Sequence, residues 1–238
     1  KNLLSDQKNH EKNIKTYATG NNVNEYYSLG IRDFKLSIKS KDDFNNESKE
    51  LIKIIMDIKT KFSNSKKIMI DCYMSWDRNY TKIMSEKLAE TGLEWIEDIA
   101  TPDTMLIEDS MIGNLNGIKL AGGEHDFNYN NFEIMVKNKI YDIWQPDITW
   151  CGGISSILKI VDINKKKYKI FLHRGGEPWG LPLIESGVVD NMAELHNPRS
   201  KNLQMEQWNN KTIKSLEDGI LITKDYLGFG ADPIEGIF

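Results

Sequence analysis

Six acid or base side chains recur along this chain at a nearly constant interval. The successive intervals are 26, 27, 23, 26 and 21 residues, and the residues are Asp71, Glu97, Glu124, Asp147, His173 and Glu194. Each stands at or just past the end of a short apolar run, as in KIMID or KIFLH. Such an interval accommodates one strand, one helix and two loops. The pattern therefore predicts an α/β barrel of the TIM type, whose carboxyl-end mouth gathers all six groups.

The apolar runs and the periodic segments alternate as this fold requires. Eight strands are predicted near 14–19, 30–38, 67–71, 93–97, 117–121, 140–145, 168–173 and 191–195. Helices are predicted near 51–62, 79–90, 107–114, 128–137, 154–164 and 180–187. The strands are continuous apolar runs, which is typical of a parallel sheet buried on both faces. A chain of 238 residues fits one such barrel.

The chain divides into a lead-in and one domain. Residues 1–12 are polar, lack periodicity and are expected to be a lead-in or a severed linker. Residues 13–238 are expected to form the barrel domain, with an extension beyond the barrel from about residue 210.

Charge and composition exclude several classes of partner. The net charge is −4 and lysine is dispersed along the chain, so no basic patch indicates nucleic-acid or membrane-surface binding. No apolar stretch reaches membrane-spanning length. Cys72 and Cys151 do not have metal-site spacing, and their roles are not evident from the sequence. A reduced, cytoplasmic protein is the expectation.

Three carboxylates follow three consecutive predicted strands: Asp71, Glu97 and Glu124. Neighbouring strands lie about 4.8 Å apart, so these groups would repel one another strongly if no cation were present. Hard oxygen ligands on strand ends suit Mg²⁺. The glycines of GGEH (122–125) allow a tight turn that presents Glu124 inward. The sequence thus predicts a Mg²⁺ site, although each acid taken alone is more typical of a solvated loop or a helix N-cap.

Asp147 and His173 end the next two predicted strands. Adjacent strand ends bring the carboxylate within reach of the imidazole, where it fixes the His tautomer and raises its basicity, as a general base needs. Glu194 is a candidate for binding substrate or enolate oxygens, or for a structural salt bridge. Further candidates for substrate binding at the mouth are Arg174, Glu177 and His125. Ser155 and the preceding glycines are expected to cap the helix after the sixth strand.

Five motifs together resemble a known family. They are IDCYMSWD (70–77), EWIED (94–98), GGEH (122–125), QPDITWCGG (145–153) and LHRGGE (172–177). Their order and spacing are similar to those of the mandelate-racemase-like branch of the enolase superfamily, and most of all to L-rhamnonate dehydratases and related sugar-acid dehydratases. The resemblance covers roughly residues 14–234.

The resemblance implies both a fold and a reaction. The fold is a (β/α)7β barrel, and the reaction removes the proton α to a carboxylate and then eliminates the β-hydroxyl. Asp71, Glu97 and Glu124 match the Mg²⁺ ligands of the family. Asp147 and His173 match its Asp–His dyad, and Glu194 matches the eighth-strand acid that helps to hold the enolate. Barrels of this branch commonly form homo-oligomers.

Two departures from the family pattern stand out. Many relatives carry Lys-x-Lys after the second strand, whereas this chain has Lys35-Leu36-Ser37 and so lacks the second base. Lys35 is either a group that neutralises the substrate carboxylate or a solvated strand end. The chain also begins close to the first predicted strand, without the N-terminal capping domain of the family. The expectation is that the sequence is truncated, that the cap comes from another chain, or that the barrel has been retained for another role.

The sequence therefore predicts a Mg²⁺-dependent sugar-acid dehydratase that yields a 2-keto-3-deoxy sugar acid, with His173 as base. One alternative is a catalytically retired or incomplete barrel that binds metal or a partner. A second is a racemase or epimerase of the same superfamily, which Ser37 disfavours. A third, a metal-dependent hydrolase, is disfavoured because such sites usually rest on several His ligands.

Overall fold

The structure is a computed structural model that describes residues 13–40, 43–107, 115–198, 208–224, 226 and 228–233. The predicted lead-in at 1–12 and nearly all of the helix predicted at 107–114 lie outside these ranges. None of the described helices combines the length and the apolar character that crossing a membrane requires.

Ten strands form one sheet, in which two belong to an antiparallel hairpin and the other eight run parallel around a barrel. The barrel strands are β1 (Asn13–Thr19), β2 (Phe34–Ser37), β3 (Ile68–Asp71), β4 (Trp95–Glu97), β5 (Lys119–Gly122), β6 (Ile143–Trp144), β7 (Lys169–Ile170) and β8 (Ala193–His196). Each strand from β1 to β6 pairs with the next, and β8 pairs with β1. A hydrogen bond from Asp190 N to Ile170 O, at 3.1 Å, links β7 to the segment that leads into β8. The predicted TIM-type barrel is confirmed.

Helices between the strands cover the outside of the barrel. They are α1 (Val23–Ser28), α2 (Phe44–Lys61), α3 (Arg78–Leu88), α4 (Pro102–Ile107), α5 (Asn130–Asn138), α6 (Ile154–Asn164) and α7 (Leu181–Glu185). A short 3₁₀ turn prolongs α3, and Gly92 follows it in the left-handed conformation, as its sequence position predicts. Of the residues predicted to cap α6, Gly153 stands at the N-cap position, whereas Ser155 lies inside the helix and no described side chain caps it.

The segment after the barrel contributes four further strands. They are β9 (Trp208–Asn210), β10 (Ile213–Glu217), β11 (Ile220–Thr223) and β12 (Ala231–Pro233). β9 and β12 pair with each other, whereas β10 and β11 form a hairpin that joins the amino-terminal half of β1. In that pairing Ile14 lies opposite Leu221, and both side chains are fully buried. The predicted extension therefore includes a hairpin that is part of the barrel sheet.

The interior of the barrel is closed by one apolar layer. Its members are Tyr17, Met69, Trp95, Ala121, Ile143, Phe171 and Met192. All are buried, and Trp95 packs edge-on against Tyr17 with ring centroids 5.4 Å apart. A second, larger core lies between the strands and the helices. Because successive side chains of a strand point to opposite faces, the next inward position of each strand lies two residues further on, above this layer.

Candidate active site

Above the apolar layer, the next inward-facing position of six barrel strands holds a polar side chain. Each lies two residues beyond a member of the apolar layer, and they are Thr19, Asp71, Glu97, Gln145, His173 and Glu194. Asp71 and Glu97 are the last residues of β3 and β4 and lie directly opposite each other in the sheet register. The equivalent position after β5 is Gly123, and its φ of +119° is open to glycine but strained for other residues. The chain turns there before Glu124.

His173 and Asp147 form a hydrogen-bonded pair, with 2.7 Å between His173 Nδ1 and Asp147 Oδ2. The other Asp147 oxygen accepts backbone hydrogen bonds from Thr149 N at 2.6 Å and Trp150 N at 3.1 Å. Burial works to raise the pKa of Asp147, but the hydrogen bonds from His173 and Thr149 hold it below its ordinary value. Asp147 is therefore an ionised acceptor whose orientation is fixed by the loop that follows β6.

The other nitrogen of His173 points towards the carboxylates, with Nε2 lying 3.5 Å from Glu124 Oε2. Burial works to lower the pKa of His173, but the hydrogen bond with Asp147 and the charges of Glu194 and Glu124 raise it to about 9. With Nδ1 donating to Asp147, Nε2 is the atom available to exchange a proton at the mouth.

Lys35 lies at the centre of the polar layer and is only 1% exposed. Its ammonium group is ion-paired with Glu97 Oε1 and lies 2.8 Å from Glu194 Oε1. Burial works to lower the pKa of Lys35, but the charges of Glu194 and Glu97 raise it well above its ordinary value. Of the two expectations for Lys35, the solvated strand end is wrong, because β2 points this side chain into the barrel and two carboxylates surround its charge.

Glu97 and Glu194 are held by neutral donors as well as by Lys35. Glu97 Oε2 accepts hydrogen bonds from Trp95 Nε1 at 2.9 Å and from Gln145 Nε2 at 2.7 Å. Glu194 accepts hydrogen bonds from the Thr19 hydroxyl and, at 2.7 Å, from Arg174 N. Burial works to raise the pKa of Glu194, but Lys35 and His173 depress it far below its ordinary value. Both oxygens of each carboxylate are thus bound by the protein.

Asp71 and Glu124 are less tightly bound. Asp71 Oδ1 accepts a hydrogen bond from Tyr73 N at 3.0 Å, and burial raises the pKa of this carboxyl. Burial and the charge of Asp98 raise the pKa of Glu124 to about 7. Carboxyl groups whose pKa values are raised by burial and by one another form an environment that binds a cation readily.

His125 lies at the mouth of the barrel beside two carboxylates. Its Nε2 lies 3.3 Å from both Asp98 Oδ2 and Glu124 Oε1. Ligand atoms of Asp98, Glu124 and His125 all lie within 4.8 Å of one another. Asp98 directly follows the predicted ligand Glu97 and was not among the predicted site residues.

Arg174 and Glu177 lie at the rim. Their side chains form an ion pair, and 44% of the Arg174 side chain is exposed. The structure therefore pairs these two predicted substrate-binding residues with each other. Ser37, which stands where the second base of the family would be, lies with its hydroxyl 3.0 Å from that of Tyr73. Cys72 and Cys151 are both free and buried.

The three predicted ligands have the donor chemistry that suits a Mg²⁺ ion. Asp71, Glu97 and Glu124 offer carboxylate oxygens from three successive strands, the donor type that Mg²⁺ prefers. Their carboxyl groups interact, since the charges of Asp71 and Glu124 both add to the burial that raises the pKa of Glu97 well above its ordinary value. These are the residues that would hold the ion.

The neutral residues of the site were not predicted from the sequence. Thr19, Trp95 and Gln145 bind the two central glutamates, but none of them titrates in the physiological range. A signal was available for Thr19 and Gln145. Each stands two residues after a large apolar residue of a predicted strand, which places it on the same inward face.

Comparisons with known proteins show the family to which this chain belongs. Residues 18–197 match the family model described as "Enolase C-terminal domain-like". A curated protein from Caldivirga maquilingensis named "Putative L-rhamnonate dehydratase" is 27% identical over 179 residues, which are 75% of this chain and 45% of that protein. The chain thus spans a little under half the length of this relative. The family match confirms the resemblance inferred from the motifs.

Solved structures show the same fold at low sequence identity. An L-talarate/galactarate dehydratase from Salmonella typhimurium superposes with a TM-score of 0.79 at 22% identity, covering 96% of this chain and 57% of that one. An L-talarate dehydratase from a Polaromonas species, complexed with Mg and L-glucarate, superposes with a TM-score of 0.80 at 16% identity, covering 96% of this chain and 64% of that one.

Proposed function

The chain belongs to the enolase C-terminal domain-like family, and from this premise we propose that it is the barrel of a Mg²⁺-dependent sugar-acid dehydratase. The observation that carries the proposal is the His173–Asp147 pair, with its second imidazole nitrogen directed at a group of acidic strand ends. The names of the similar proteins indicate the substrate class, since they include L-rhamnonate, L-talarate and galactarate dehydratases.

The first step is removal of the proton at C2, next to the substrate carboxylate. Neutral His173 accepts it at Nε2, and the C–H electron pair moves into an enediolate. Asp147 keeps Nδ1 protonated and stabilises the imidazolium that forms. Mg²⁺ bound by Asp71, Glu97 and Glu124 would supply positive charge for the developing oxyanions.

The second step is loss of the hydroxyl at C3. The electrons of the enediolate form a C2–C3 double bond as the C3–O bond breaks, and the imidazolium of His173 protonates the departing hydroxyl, which leaves as water. The resulting enol tautomerises to a 2-keto-3-deoxy acid. His173 returns to its neutral state, so one residue serves as base and then as acid.

Lys35 and Glu194 complete the proposed site. The Lys35 ammonium group is buried between Glu97 and Glu194, where it can also contact the carboxylate of a substrate. Glu194 is an anion fixed by Thr19 and Arg174 N, and it holds the Lys35 ammonium group where that charge can stabilise the enediolate.

One observation favours a second candidate, a barrel that is no longer catalytic. Both oxygens of Glu97 are bound by protein donors, as they would be in a site that had ceased to use a metal. Two-base racemisation receives no such support, because Ser37 offers a hydroxyl where the second base would stand.

The test is NMR spectroscopy of the chain with Mg²⁺ and a panel of sugar acids in D₂O. The panel includes L-rhamnonate, galactarate, L-talarate and L-glucarate. We expect either a 2-keto-3-deoxy product or deuterium at C2 with at least one acid, and neither with His173→Asn. The variant should keep its affinity for Mn²⁺, which replaces Mg²⁺ as a spectroscopic probe.

Two results would count against the proposal. Full turnover by His173→Asn would remove the assigned base. Binding of Mn²⁺ without exchange of any acid in the panel would favour the non-catalytic barrel.

A further inference from the structure

The Lys35 ammonium group is bound to Glu97 Oε1, an oxygen that the proposed function assigns to a metal ion. Its Nζ is ion-paired with Glu97 Oε1 and lies 2.8 Å from Glu194 Oε1, deep in the barrel. The remaining oxygen of Glu97 accepts hydrogen bonds from Trp95 and Gln145. A divalent cation at Glu97 Oε1 would therefore lie next to the ammonium group.

We propose that Lys35 and a divalent cation compete for Glu97, so that the ammonium group is the counter-ion of the metal-free site and shifts to Glu194 when metal binds. This inference rests on the proposed function, because it takes the same carboxylates as metal ligands. A unit charge and a divalent ion on one oxygen would repel each other strongly in a buried site of low dielectric constant. Buried carboxylates without any cation would be costly as well.

The surroundings of Lys35 allow this exchange. Its four-carbon stem is flexible, and Nζ already contacts Glu194, so a small movement is enough to leave Glu97. Glu194 itself is held by the Thr19 hydroxyl and by Arg174 N, which keep its charge in place as the acceptor. The Tyr17 ring lies beneath the ammonium group, with its centroid 5.7 Å from Nζ, and provides a cation–π contact there.

The competition has a consequence for the order of binding. While Lys35 holds Glu97, its charge is shared between two carboxylates. Once metal has taken Glu97, the ammonium group has one protein carboxylate and can turn to the carboxylate of an incoming acid. Metal binding therefore prepares the anion site, and the cation is expected to bind before the substrate.

The experiment measures Mn²⁺ affinity by calorimetry or by electron paramagnetic resonance for the wild type, Lys35→Met and Lys35→Arg. Lys53→Met is the control, because it removes a positive charge at an exposed position on α2, away from the site. We expect Lys35→Met to bind Mn²⁺ about tenfold more tightly or better, since a competing buried charge is gone. Lys35→Arg should stay near the wild type, and Lys53→Met should change by about twofold at most.

Affinity of Lys35→Met equal to or below that of the wild type would overturn the competition and leave the metal site standing. Failure of both the wild type and Lys35→Met to bind Mn²⁺ would overturn the competition and the proposed function together. If Lys35→Met is unfolded without metal, circular dichroism with saturating Mn²⁺ decides: recovery of the fold supports the competition, and continued absence of the fold contradicts it.

Discussion

Single residues decide the protonation of this site. Asp147 accepts hydrogen bonds from the backbone at 149 and 150 on one oxygen and meets His173 Nδ1 with the other. The imidazole is thereby held in one tautomer, and its second nitrogen is turned towards Glu124. The basicity of His173 is a property of this arrangement, because burial alone would lower its pKa.

Replacing Asp147 with Asn tests this dependence. The amide keeps the size of the side chain but removes the charge that stabilises the imidazolium, so we expect turnover to fall by about 100-fold or more. The pKa seen in the rate profile should fall with it. Turnover and deuterium exchange at C2 are followed by NMR over a range of pH. An unchanged rate and pH profile would show that Asp147 does not act through His173.

The raised pKa of Glu177 makes the free energy of unfolding depend on pH. Burial is the largest influence on this carboxyl and, although Arg174 opposes it, the pKa is raised from 4.5 to about 7. Between these values the folded protein binds more protons than the unfolded chain, so the free energy of unfolding falls as the pH rises from about 4.5 to 7. We expect a loss on the order of 2 kcal/mol.

Urea denaturation at pH 5 and pH 7 measures this loss. Glu177→Gln should flatten the profile in this window, whereas Glu86→Gln, at an exposed position on α3, should leave it unchanged. An equal pH dependence in Glu177→Gln and the wild type would exclude Glu177 as its source.

The sequence predicted the titrating residues of the site better than their partners. Asp147 and His173 were predictable because each ends an apolar run and adjacent strand ends meet. The location of Lys35 was also apparent, but its two carboxylate partners belong to β4 and β8, 62 and 159 positions further along the chain by residue number. Which of several acids a buried lysine meets depends on the register of the whole barrel, and no local pattern contains that information.

At the scale of the elements, the start and end of a helix are determined mainly by its capping residues. Asp77 is the N-cap of α3, and its side-chain oxygen accepts a hydrogen bond from Tyr80 N at 2.6 Å. At the other end, Gly92 follows the 3₁₀ turn in the left-handed conformation. Such local signals were visible in the sequence. The six-residue α1 was missed, because it is too short to show a helical period.

Removing the cap of α3 should weaken the protein measurably. Asp77→Ala leaves Tyr80 N without its acceptor, and we expect a loss of about 1 kcal/mol in the free energy of unfolding. Asp77→Asn retains an acceptor oxygen and should lie close to the wild type. Urea denaturation of the three proteins makes the comparison. Equal stability of Asp77→Ala and the wild type would show that water replaces the cap without cost.

At the scale of the whole molecule, the barrel depends on the segment that follows it. Leu221 of β11 packs fully buried opposite Ile14 of β1, although the two are 207 positions apart. The apolar run GILIT was apparent in the sequence, but its partner strand was not, because strands so distant along the chain carry no local record of their pairing.

Leu221→Ala therefore tests whether this hairpin is integral to the domain. We expect a loss of about 2–4 kcal/mol in the free energy of unfolding, as for other buried leucines. Ile222→Ala, at the adjacent and partly exposed position, should cost less. Both are measured by urea denaturation with one cooperative transition. A negligible effect of Leu221→Ala would mean that β11 is an appendage and that the barrel is stable without it.

The apolar layer fills the interior of the barrel below the polar side chains of the site. Trp95 packs against both Tyr17 and Phe171, so among the described residues the amino end of the barrel is filled by side chains. Under the proposed function, an incoming acid and an outgoing product would both pass the carboxyl-end mouth. Whatever covers that mouth would then control both substrate binding and product release.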